Sequence, residues 1–115
     1  MARVLAVFDD LLLGSNVLGM LRAAGHEAEL TGIPDQVAAG ADVLVVDLGS
    51  EGLDGVALVE RLRADGALAG TATLGVYSHV HHDVKLRAEA AGFDLVVPRS
   101  RMAREGAALV ERLAG

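Results

Sequence analysis

Apolar runs of strand length alternate with helix-period segments from one end of the chain to the other. Val4 to Phe8 is continuously apolar and stops at Asp9-Asp10. It is too short for a helix, and a run apolar on both faces suits a buried parallel strand. Leu13, Val17, Met20, Leu21 and Ala24 follow at helical spacing, with Gly25 as the stop. His26 to Thr31 alternates weakly and predicts an edge strand. Ile33 to Ala39 predicts at most a short helix, opened by Pro34 and closed by Gly40. Val43 to Val46 is a second fully apolar strand, and it too stops at a carboxylate, Asp47. Asp54 is a good N-cap for a helix that turns Val56, Val59 and Leu62 inward. Thr71 to Tyr77 predicts a strand ending at Ser78, and Val84 to Ala91 a helix ended by Gly92. Leu95 to Val97 is a short strand before Pro98. Met102, Leu109, Val110 and Leu113 give the last helix its apolar stripe.

This is five strand–helix pairs with short connections. Right-handed crossovers turn such a chain into a parallel sheet covered by helices on both faces. The prediction is an α/β, flavodoxin-like fold: a five-stranded parallel sheet of order 2-1-3-4-5 in one domain, residues 1–115. Composition narrows the function. Apolar residues make up 52% of the chain, which excludes disorder. With two Phe, one Tyr and no Trp, base stacking is a poor expectation. A net charge of −6, with no basic run longer than the scattered Arg99, Arg101 and Arg104 group, argues against a phosphate backbone as partner. The absence of cysteine removes disulfides and thiolate chemistry. No run approaches a membrane span or a signal peptide, so a cytoplasmic domain without membrane contact is expected.

In an open parallel sheet, ligands bind beyond the carboxyl ends of the strands, where the strand order reverses. Strands one and three are neighbours there and end at Asp9, Asp10 and Asp47. Three carboxylates so placed repel one another and raise each other's pKa unless a cation joins them. Oxygen ligands with open positions suit Mg²⁺, which keeps waters and welcomes a phosphoryl group. Strands four and five end nearby at Ser78, a hydroxyl donor, and Arg99, a fixed cation.

The set Asp9-Asp10, Asp47, Ser78 and Arg99 resembles the receiver domain of bacterial two-component response regulators, and the resemblance covers essentially the whole chain. Gly55 also matches, standing eight residues beyond Asp47 as in that family. The resemblance implies that Asp47 is the phosphoacceptor and that Ser78 and Arg99 contact the phosphoryl group. It implies Mg²⁺ held by Asp9, Asp10, Asp47 and the backbone carbonyl of Gly49. It further implies a stand-alone signalling domain in a phosphorelay, not an enzyme. Its partners would be a histidine kinase or phosphotransfer protein and a downstream protein, and a homodimer is an ordinary arrangement.

The departures point to an atypical branch. Arg99 stands where the family has lysine, Ser100 where it usually has proline, and Ser50-Glu51 where it usually has Met-Pro. Val96 takes the place of the aromatic switch residue. The segment between strands one and three is several residues shorter than usual. Arginine is planar and can bridge a carboxylate, so Arg99 is able to neutralise Asp47 without metal or phosphate. The alternative expectation is therefore a pseudo-receiver, a non-phosphorylated interaction module of the same fold. His79, His81, His82 and Asp83 lack the spacing that converges metal ligands, and the stretch is expected to be a loop opening the next helix. No P-loop and no G-x-G-x-x-G is present, so nucleotide binding is not expected.

Overall fold

The computed structural model describes residues 2–32, 40–49, 52–78 and 82–115. Its strands are β1 (Arg3–Val7), β2 (Glu27–Thr31), β3 (Val43–Asp47), β4 (Ala72–Tyr77) and β5 (Leu95–Pro98). Its helices are α1 (Leu11–Ala23), α2 (Gly55–Ala64), α3 (His82–Ala90) and α4 (Arg99–Ala114). The strands form one parallel sheet in the order β2-β1-β3-β4-β5, as the alternation of elements predicts. The helix expected over Ile33–Ala39 lies outside the described residues, as do Ser50, Glu51, His79 and His81.

Side chains alternate across the central strands and bury both faces of the sheet. One face carries Val4, Ala6, Val43, Val45, Leu74, Val76 and Val97, packed under Val17 and Leu21 of α1 and Met102, Leu109 and Val110 of α4. The other carries Val7, Leu44, Val46 and Val96, packed under Val56, Val59 and Leu62 of α2 and Ala88 of α3. The continuous apolar runs in β1 and β3 exist because both of their faces are covered.

Local signals set the helix ends. Asp10 caps α1 by accepting from the Leu13 N–H at 3.1 Å, and Asp54 caps α2 by accepting from the Ala57 N–H at 3.0 Å. Gly25, with φ of 92°, turns the chain out of α1 into β2. Two boundaries differ from expectation. α3 begins at His82, so His82 and Asp83 form its first turn instead of a loop; an acid there suits the positive end of the helix. Asp47 is the last residue of β3, paired with Val76, and does not stand beyond the strand.

The edge of the sheet away from the carboxyl ends is tied by polar contacts around the buried Thr73 and His26. Asp94 Oδ2 accepts from the Thr73 N–H at 2.7 Å and from Thr73 Oγ1 at 3.1 Å, and Arg63 donates to Thr73 Oγ1 and to the Gly92 carbonyl. His26, also buried, accepts at Nδ1 from the Ala2 N–H, and its Nε2 lies 3.2 Å from the Ala107 carbonyl. That geometry fits the tautomer with the proton on Nε2. The His26 contacts join the start of β2 to the start of β1 and to α4, at the end of the sheet remote from the acids.

Candidate functional site

Parallel pairing brings the predicted residues to one edge. The register Val7↔Val46 sets the ends of β1 and β3 side by side, so Asp9 and Asp10 follow β1 next to Asp47. The register Tyr77↔Pro98 places Ser78 and Arg99 each one residue beyond the last β4–β5 pair. The Leu48 N–H donates to the Val76 carbonyl at 2.7 Å and holds the chain after Asp47 against β4.

Asp47 lies at the centre and its side chain is wholly buried, at 0% exposure. Its Oδ1 accepts from the Gly49 N–H at 2.9 Å and lies 3.6 Å from Nη2 of Arg99. Among the described residues its Oδ2 has no hydrogen-bond partner, and neither does the buried Nε of Arg99. Burial pushes the Asp47 carboxyl above its ordinary value of 3.8. The Gly49 N–H and the Arg99 charge pull it back only in part, and the negative charge of Asp10 adds to the rise.

The other acids are placed differently. Asp10 is exposed and turned to cap α1. The exposed Asp9 lies against Gly52, where an added methyl would sit 2.5 Å from Asp9 Oδ2. Ser78 is half-buried at the end of β4. Among the described residues no three His, Asp or Glu side chains are grouped as metal ligands. The donor set nonetheless fits a hard cation. Asp47 presents a buried oxygen without a donor, and Asp10 stands near enough to disfavour its ionisation. Mg²⁺ is usually held by one or two carboxylates and its own waters, and Asp10 and Asp47 supply that number.

Burial of Asp47 and the seat of Arg99 were not legible in the sequence. Gly49 carries both: it donates to the carboxylate, and a methyl group at this position would lie 2.9 Å from Arg99 Nη2. A glycine two residues beyond the acid, together with arginine in place of lysine, is the signal that could have found it. Gly55 has the steric role that a helix start against a strand demands. A methyl on it would meet Val46 Cγ1 at 2.5 Å and Leu48 Cδ2 at 2.8 Å.

The fold is the flavodoxin-like one that receiver domains share. The receiver domain of the Francisella response regulator 1452 superposes with a TM-score of 0.84 at 18% identity, over 99% of this chain and 97% of that one. FixJ-N superposes with a TM-score of 0.83 at 19% identity, over 96% and 91%. NtrX from Brucella abortus, solved with ADP, gives 0.84 at 20% identity over 98% of this chain, which spans 27% of that protein. No protein-family model and no curated protein sequence matches the chain. The receiver likeness is thus one of fold, carried by three-dimensional structure at low identity. Among the described residues no helix is long and apolar enough to cross a membrane.

Proposed function

We propose that this chain is a signalling receiver, not an enzyme, whose phosphoacceptor is Asp47. The observation that carries the reading is the Asp47 carboxylate itself. It stands at the carboxyl end of a central strand, with one oxygen lacking a donor and with Asp10 and Arg99 beside it. Asp10 and Asp47 would hold Mg²⁺, with the Gly49 carbonyl as a third ligand and Asp9 supporting through water. When bound, Mg²⁺ would offset the charge of the carboxylates and of an incoming phosphoryl group.

The chain's own residues divide the remaining work. An Asp47 oxygen attacks phosphorus and forms the acyl phosphate, the bond from phosphorus to the donor breaks, and the donor leaves with that electron pair. The Ser78 hydroxyl donates to a phosphoryl oxygen, and Arg99 counters the charge of the group. The phosphoryl source would be a phosphohistidine on a kinase or phosphotransfer protein in the cytoplasm, and the output would be contact with a downstream protein. The experiment is intact-mass spectrometry after incubation with acetyl phosphate and MgCl₂. One phosphoryl group should appear on the native protein and be absent with EDTA or in Asp47→Asn. The complete burial of Asp47, with Arg99 paired to it, favours a second reading, a pseudo-receiver that works by protein contact alone. Native protein that stays unmodified under all these conditions, together with an unmodified Arg99→Lys variant, would favour that second reading.

A further inference from the structure

We propose that Arg99 is a gate that covers Asp47 against phosphoryl donors, and that Gly49 is the seat that lets it close. The proposal concerns regulation of the same site and rests on Asp47 being the phosphoacceptor. A carboxylate at the carboxyl edge of an open sheet ordinarily faces solvent, because that edge is where ligands enter. Asp47 is instead fully covered. The guanidinium of Arg99 reaches it through a single atom, Nη2 to Oδ1 at 3.6 Å. A methyl group at Gly49 would lie 2.9 Å from Nη2, 3.4 Å from Cζ and 3.5 Å from Asp47 Oδ1. Acid, glycine and guanidinium are therefore in contact, and any side chain at position 49 would occupy the space the guanidinium uses. Gly49 has no left-handed backbone to explain its presence, since the glycines with positive φ are Gly25, Gly40, Gly66, Gly70 and Gly92. Space is what this position requires.

The contact is built to open. Arg99 remains 37% exposed over its side chain, while its Nε is buried without a partner among the described residues. A permanent buried pair would be bidentate, at charge-assisted hydrogen-bond distances of roughly 2.7–2.9 Å. This one is longer and leaves Asp47 Oδ2 and Arg99 Nε unused. Lysine, a compact charge on a flexible stem, would counter the same carboxylate without covering it. Arginine at this position thus adds cover to charge.

The test reads access to Asp47 directly. Native protein and the Arg99→Ala, Arg99→Lys and Gly49→Ala variants are treated with a water-soluble carbodiimide and glycine ethyl ester. Labelling of Asp47, Asp9 and Asp10 is then mapped by peptide mass spectrometry, with circular dichroism confirming that each variant is folded. In native protein Asp9 and Asp10 should label readily and Asp47 slowly. All three variants should label Asp47 faster by roughly fivefold, the scale of one weak ion pair. Gly49→Ala keeps the charge and displaces the guanidinium, and Arg99→Lys keeps the charge and removes the cover. Asp47 labelling at the native rate in folded Arg99→Ala and Gly49→Ala would overturn the gate. Arg99→Lys labelling at the native rate would overturn it too, by showing that charge alone shields the acid. Acetyl phosphate separates this outcome from the parent reading. Faster labelling without phosphoryl transfer in any form leaves Arg99 as the cover of Asp47 but removes Asp47 as phosphoacceptor, and with it the role of that cover against phosphoryl donors.

Discussion

Asp47 carries opposing demands, and its stability cost has a definite pH dependence. Burial raises its carboxyl above the ordinary value of 3.8, so the folded state binds the proton more tightly than the unfolded state does. The resulting stabilisation is fully present below that unfolded value and is lost as the pH rises through the higher folded one. Above that folded value the native protein is held down by an ionised, half-satisfied carboxylate. Asp47→Asn removes the charge and keeps an oxygen for the Gly49 N–H. It should raise the free energy of unfolding at neutral pH by on the order of 1 kcal/mol, the scale of one poorly satisfied buried group. Urea titrations across pH should show that advantage shrinking as the pH falls through the raised folded-state value, and gone below 3.8. An advantage that persists undiminished in acid would mean that ionisation of Asp47 is not its source.

At the scale of elements, two glycines in helices should respond in opposite directions to the same substitution. Gly55 opens α2 pressed on β3, and a Cβ there meets Val46, Leu48 and the Asp47 carbonyl at 3.0 Å or less. Backbone lies among those neighbours, so relief requires moving the helix off the strand. Gly55→Ala should cost roughly 1–3 kcal/mol, the range for overpacking a tight interface. Gly19 lies exposed within α1 and has nothing within 4 Å of an added Cβ. Gly19→Ala should therefore stabilise by roughly 0.5–1 kcal/mol through helix propensity alone. Denaturation midpoints of the two variants check both signs. Gly55 was picked out in the sequence by its distance from Asp47, but helix pattern alone treats it and Gly19 alike. Only the contacts separate them.

Across the whole molecule, the question is how far an event at Asp47 travels. Val96 is buried opposite Gly75 in the β4–β5 pairing. A Cβ at Gly75 would lie 3.1 Å from the ring of Phe93 and 2.6 Å from Leu48. The space beside Ser78's strand is thus filled by a ring fixed in the α3–β5 turn and by Leu48. Val96 has no ring of its own to swing. A phosphomimetic beryllofluoride complex with Mg²⁺ should perturb amides at Asp10, Asp47, Gly49, Ser78 and Arg99 and leave Leu109 and Val110 of α4 nearly unshifted. Amide NMR titration of the native protein, with Asp47→Asn as control, measures this. Large shifts at Leu109 and Val110 would show a path to α4 that does not need an aromatic at position 96.

The layer architecture was legible in the sequence because two fully apolar strands and strictly alternating helices leave a chain one economical way to bury both faces. The edge that gathers Asp9, Asp10, Asp47, Ser78 and Arg99 was legible for the same reason, since parallel strands all end on one side. Periodicity is a backbone property, and these conclusions concern the backbone. What the sequence could not decide is set by distances between side chains far apart in the chain. Arg99 lies over Asp47 and Gly49, Asp9 turns to Gly52, and Asp10 is drawn into capping α1. Burial, charge and hydrogen bonding at Asp47 therefore depend on a residue fifty-two positions later. Whether a carboxylate is exposed or covered is a matter of tertiary packing, because the low dielectric that raises its pKa and the cation that offsets it come from different elements.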